Sequence, residues 1–371
     1  MKTTFLAAFL ALTSAAVAEP QTVYFGTGGK GAKGIYRGTF DAATGKLSPV
    51  VLAAEIGSPG FLAAHPAGGK LYAVARWGKS AGVVGYEIKP KGALVEFAKQ
   101  ANPDGGGAHI AVHPSGRFLL TAQYGGGSTA FFPLDDDGNP GKPVVHEHVG
   151  GSGVVPRRQD SPHPHWCGFS PDASYAFVPD LGADQIVIYK VAEDLASIAP
   201  HGIARSVPGG GPRHMRFSVD GRFIYLLNEL SLSVTTFAWD AKAGAATRLS
   251  TTPSLSEEAK AAESFNSAAE ILTHPSGKFV YSSNRGHDSV TVYKADPATG
   301  RLEVIQVQPI RGAFPRNINL DPTGGWLLAA GADSGTVAAH RIDPGTGKLT
   351  YHRGAITQVP APICILFPKA P

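Results

Sequence analysis

Residues 109–124 read HIAVHPSGRFLLTAQY, and this stretch decides the fold. An apolar run meets a His-Pro-Ser-Gly turn, and a second apolar run follows. Pro presets φ for a tight turn and Gly supplies a positive φ, so the phrase reads as a β-hairpin. Close copies stand at 61–76 (FLAAHPAGGKLYAVAR), 165–180 (HWCGFSPDASYAFVPD) and 214–229 (HMRFSVDGRFIYLLNE). Two more stand at 270–285 (EILTHPSGKFVYSSNR) and 317–332 (NINLDPTGGWLLAAGA). The turn falls at Pro66, Pro114, Pro171, Val219, Pro275 and Pro322, in steps of 47 to 57 residues. Each pair is followed by a third apolar run, such as GVVGYEI at 82–88, QIVIYKV at 185–191 or SVTVYKA at 289–295. Turns such as DPATG (296–300) and DPGTG (343–347) then lead to a fourth. Four short strands per unit of roughly 40–50 residues mark the blades of a β-propeller.

The ends of the array supply the count. ICILFPK (363–369) repeats a first strand, with Pro368 at the turn and no second strand after it. TVYFGT (22–27), GIYRGTF (34–40) and DAATGKL (41–47) supply what is missing. The expected fold is therefore an all-β, seven-bladed propeller over residues 19–371, with one blade closed by both termini. Closure hides the sheet edges that a linear array leaves open. A β-sandwich does not account for seven copies of one turn. Gly (46) and Pro (29) are abundant and only 17% of residues are charged, which suits strands joined by tight turns.

Residues 1–18 read as a signal peptide: Lys2, an apolar run from Phe5 to Leu12, then Ala16-Val17-Ala18, with cleavage expected after Ala18. Export to the periplasm or medium follows. The run is too short to span a membrane. Losing Lys2 takes the formal charge from +4 to +3, and no Lys/Arg run appears, so nucleic-acid binding is not expected. A soluble monomer is. Cys167 and Cys364 fall on innermost strands of blades well apart, so both are expected as free thiols. No P-loop and no G-x-S-x-G motif occurs.

Registering the repeats on the turn isolates unusual residues. Six positions before it stand Gly60, Ala108, His165, Arg213, Ala269, Arg316 and Pro362. Nine and ten positions after it come Asp180, Asn228-Glu229 and Asn284-Arg285, with Arg76 and Gln123-Tyr124 in the first two copies. Both sets open toward one mouth of the channel. His163, two before His165, is expected on the same face by strand alternation. Arg213, Arg285 and Arg316 can grip a carboxylate or phosphate through guanidinium forks. Glu229 and His165 can move protons at an ester or lactone. The alternative is a structural ion-pair ring capping the channel. Two long connections, 146–162 with Arg157 and Arg158 and 251–268 with a short helix, frame the mouth. A second alternative sets His163, His165 and Asp180 around a metal. His65, His113 and His274 belong to the turns and are read as structural.

Several segments together resemble the propeller-type lactonase family, which includes bacterial 6-phosphogluconolactonases and fungal 3-carboxy-cis,cis-muconate lactonizing enzymes. They are RQDSPHPHWCGFSPD, VPDLGADQIVIYKV, GPRHMRFSVDGRFIYLLNEL, AAEILTHPSGKFVYSSNRGHDSVTVY and FPRNINLDPTGG. The resemblance spans nearly the whole chain after residue 18. It implies catalytic roles for His165, Arg213, Glu229 and Arg285; His163, Arg316, Glu270 and Asp180 are separately expected toward the substrate. It also implies no metal or organic cofactor and a small anionic lactone as partner. The chain departs from the family pattern at Ser58-Pro59-Gly60-Phe61, Ala75-Arg76, Ala122-Gln123-Tyr124 and Gly331-Ala332. All of these lie at the mouth. The expected function is hydrolysis of a sugar-acid or similar small acidic lactone, metal-independent. A lactonizing cyclase and a non-catalytic binding propeller are the alternatives.

Overall fold

Each turn phrase folds as the first two strands of an antiparallel sheet, in a computed structural model that describes residues 19–369. The proposed signal peptide lies outside the described residues. Six sheets are four-stranded and built in chain order, over residues 62–101, 109–147, 168–205, 212–253, 267–309 and 315–358. We number these blades 2 to 7. Blade 1 takes its innermost strand, Pro362–Leu366, from the far end of the chain and its remaining strands from residues 21–55. Tyr24 pairs with Leu366, Phe25 with Ile365 and Gly26 with Cys364. The closure expected from the unmatched strands is thus present, and the blades number seven.

The core is divided to match. Seven apolar clusters each join two neighbouring blades. Val23 and Phe25 of blade 1, for example, pack on Trp326 and Leu328 of blade 7. Sheets bury both faces this way, which explains strands such as FLLTAQ that are buried throughout. The turn histidines add a polar latch. His113 Nδ1 accepts from the Ser115 amide at 3.1 Å, so Nε2 carries the hydrogen and donates to Ala173 O of blade 4 at 3.0 Å. His274 repeats this toward Gly324 O of blade 7 at 2.9 Å. Their reading as turn residues stands.

The innermost strands are irregular where they reach the mouth. In blade 5, Pro212 pairs with Asn228 and His214 with Leu227, which leaves Arg213 as a bulge. In blade 7, Pro315 pairs with Gly331 and Asn317 with Ala330, which leaves Arg316. In blade 6 the shift lies between Ala268 and Ile271. A bulge bends the strand and re-aims its side chains. Among the described residues, no helix is long and apolar enough to cross a membrane. The short helix foreseen in the 251–268 connection is Glu257–Ala261, capped by Ser256. Cys167 and Cys364 are both free and buried.

Candidate active site

Gly60, Ala108, His165, Arg213 and Arg316, five of the seven residues of one repeat position, line a single cavity of about 180 Å³. Arg76, His214 and Phe61 complete its functional wall. The small side chains of blades 2 and 3 leave the space, and blades 4, 5 and 7 fill the opposite wall with imidazole and guanidinium.

Behind that wall lies Glu229, 5% exposed. Arg213 Nε donates to its Oε2 at 2.9 Å and Arg285 Nη2 stands 3.0 Å from the same atom. Arg158 Nη2 donates to Oε1 at 2.7 Å. Burial would raise the carboxyl's pKa, but Arg285 and Arg213, with His165 and Arg158 behind them, outweigh it and hold it well below the usual carboxylate range. A carboxylate so held is a poor base and a good counter-ion. The clamp also fixes the guanidiniums: Arg213 Nη1 donates to Ala269 O, and Arg285 Nη2 to Ala268 O at 2.8 Å. The Arg285 guanidinium lies 5.2 Å from the Phe314 ring centre. Burial, with Arg285 adding, pushes Arg213 down to about 9, so it remains charged at neutral pH. Arg316 enters no ion pair among the described residues and lines the cavity.

His165 is 6% exposed, and its Nδ1 has no hydrogen-bond partner among the described residues. Burial, then Arg213 and His214, holds its pKa well below the ordinary imidazole value. The ring is therefore neutral at pH 7.

The remaining expected residues are placed differently. His163 stacks on Tyr124 at 4.5 Å between ring centres, and its Nδ1 donates to Tyr124 O at 2.8 Å. Strand alternation does not apply to it, because blade 4's innermost strand is only Gly168–Phe169; ahead of it Pro164 makes an isolated bridge to Asp180. Asp180 is fully buried and away from the cavity lining. One oxygen meets His148 Nδ1 at 2.7 Å; the other accepts from the amides of His163, Gly182 and Ala183. It organises a loop, and the metal set of His163, His165 and Asp180 is not assembled. Glu270 is also fully buried, bound to His214, Arg216 and Asn317.

Two site residues escaped the repeat registry. Arg158 comes from the 146–162 connection. That segment is pinned by buried Gln159, which bonds Leu181 O and Asp184 Oδ1, and so is no loose lid. Its Arg157-Arg158 pair was the available signal. His214 sits next to Arg213, where alternation would point it away; the bulge brings both onto the cavity wall.

A β-propeller with a basic, imidazole-bearing cavity at its channel mouth is the class that fold and site define. The family model described as "Lactonase, 7-bladed beta-propeller" matches residues 22–367, and the chain belongs to that family. It is 32% identical over 347 residues to a Bacillus subtilis protein named 6-phosphogluconolactonase, covering 93% of this chain and 97% of that one. A Formosa agariphila protein of the same name is 32% identical over 333 residues, covering 85% and 90%. Among solved structures, the Pseudomonas aeruginosa periplasmic gluconolactonase superposes with a TM-score of 0.86 at 27% identity, covering 95% of this chain and 100% of that one. A Lactobacillus plantarum protein gives the same TM-score at 27% identity, covering 94% and 99%.

Proposed function

We propose that this chain hydrolyses a sugar-acid or similar small acidic lactone. One observation carries this reading: two bulged arginines, Arg213 and Arg316, and an imidazole, His165, line one small cavity. Hydrolysis of a lactone builds negative charge on the carbonyl oxygen, and preorganised guanidiniums in a water-poor site stabilise that charge. Arg316 and Arg76 then hold the acidic group of the substrate, and Arg213 polarises the ester. Proton exchange falls to the imidazole wall, where His165 meets the reacting groups. Glu229, held ionised by its arginines, does not suit that task. Glu229 holds Arg213 and Arg285 in place. The relatives named as lactonases support the substrate class, and the periplasmic neighbour supports export after cleavage at Ala18. A metal-independent monomer that binds no nucleic acid completes the proposal.

Turnover of a panel of aldono- and aldarolactones, with spontaneous opening subtracted, is the test. Acidic lactones are expected to be opened at a rate indifferent to chelator. Arg213→Ala should weaken them most, and His165→Asn should lower kcat. No turnover of any acidic lactone overturns the proposal.

A further inference from the structure

Three imidazoles from successive blades line up inside the channel. His109 and His214 have ring centres 5.4 Å apart, and His165 and His214 5.2 Å. His214 differs from the other two in having a carboxylate behind it: its Nδ1 lies 3.0 Å from Glu270 Oε1. Glu270 also accepts from Arg216 Nη2 at 3.0 Å, from the Ile271 amide at 3.0 Å and from Asn317 Nδ2 at 2.7 Å. With donors on every side the carboxylate acts only as acceptor, so the hydrogen between the two belongs to His214 Nδ1. In the neutral ring that leaves Nε2 with a bare lone pair. Nε2 is buried without a hydrogen-bond partner among the described residues, and the ring lines the cavity. A buried acceptor left empty next to a cavity is an unusual feature, and it is explained when a ligand or water fills it in use.

We infer that His214 is the general base of the reaction, with Glu270 as its positioning residue; this rests on the lactonase reading above. Once substrate binding admits a water to Nε2, that water loses its proton to His214 as its oxygen bonds the carbonyl carbon. The carbonyl π pair moves to oxygen, where Arg213 meets the charge. The oxyanion then re-forms the carbonyl and expels the ring oxygen. His214 returns the proton to that alkoxide, giving the open hydroxy acid. His165 faces the same water from blade 4 and orients it. The groups around His214 keep it neutral beforehand: burial, then Arg213 and Arg216 on its own strand, and Arg316 and Arg285 from blades 7 and 6. Glu270 opposes them, and His109 and His165 are the neutral neighbours.

The test uses the full chain and an acidic lactone that the wild type opens. His214→Asn should lower kcat by about 10²-fold or more with KM little changed, since loss of a general base costs 10²–10⁴-fold. Glu270→Gln should lower kcat and also move the acid limb of the pH–rate profile to lower pH, because a negative charge beside the imidazole is gone. A purely structural Glu270 would lower the melting temperature and leave that limb in place. Should either variant fold poorly, 15N NMR of histidine-labelled wild type decides: His214 must carry its hydrogen on Nδ1 at pH 7. Wild-type kcat in His214→Asn, or a hydrogen on Nε2, overturns the inference while wild-type turnover still upholds lactonase activity. Absence of any wild-type turnover overturns both.

Discussion

Replacing Glu229 by Gln removes the one negative charge that Arg213 and Arg285 share. Both guanidiniums stay buried, at 2% and 5% exposure, and lose their counter-ion. Breaking a buried pair from one side costs about 3–5 kcal/mol. Arg158 adds little, because its side chain is 37% exposed and water screens it. Unfolding entropy of about 2.1 cal/mol/K per residue, over roughly 350 residues, is about 0.7 kcal/mol/K, so the melting temperature should fall by about 4–7 °C. The kinetic signature is separate. As a counter-ion and not the base, Glu229 should leave an acid limb in the kcat/KM profile when it is lost, while the rate falls because Arg213 is no longer held. Scanning calorimetry and rates from pH 4 to 8 on the same preparation measure both. If the acid limb vanished and the melting temperature held, Glu229 would be the base and the counter-ion argument would be wrong.

Other perturbations address separate features. Deleting residues 362–371 strips the innermost strand from blade 1 and uncovers Tyr24, Phe25 and Gly26; circular dichroism should show loss of cooperative melting, and a wild-type transition would show closure to be dispensable. His109, His165 and His214 are buried with pKa values held well below the ordinary 6.5, chiefly by burial. Below pH 6.5 the unfolded chain binds more protons than the folded one, so stability is full above that pH and is lost as pH falls, with a limiting slope of about 4 kcal/mol per pH unit for three such groups. Urea titrations at pH 7.5 and 5.5 check this; equal midpoints would contradict it. Arg76→Ala, at the rim of the cavity, should raise KM for acidic lactones about tenfold, the loss of one charge-assisted hydrogen bond, and leave neutral lactones alone. An equal effect on both would remove Arg76 from anion binding.

Fold and site were unequally legible in the sequence. The turn phrase repeats because every blade needs the same hairpin, and periodic constraints are visible in a single chain. The position six before the turn stood out for a related reason: most blades fill it with something small, so Arg213, His165 and Arg316 are conspicuous. What periodicity could not reveal is where periodicity stops. His214 is brought onto the cavity wall by a bulge, a break in alternation that no residue type announces. His163 was expected to share a face with His165 along a strand that turns out to start only at Gly168. Arg158 arrives from a connection whose path depends on Gln159 and Asp184, partners that lie far from it in the repeat. The acidic residues were the least legible. Glu229, Glu270 and Asp180 look alike on paper, and their surroundings give them three different tasks.

Pairing Tyr24 with Leu366 also has a consequence in time. During synthesis the first strands to appear belong to a sheet whose innermost member is made almost last. Blades 2 to 6 can assemble beside one another as they emerge, since each apolar cluster needs only two neighbours. Blade 1 must wait, and blades 2 and 7 wait with it for half of their packing. The chain therefore carries open edges and bare apolar faces until residues 362–366 arrive, and long-range pairings of this kind fold slowly. A nascent chain stays committed to an unfinished ring for nearly its whole length. Quality control that recognises exposed strand edges would hold every interrupted product, and release would coincide with completion of the circle.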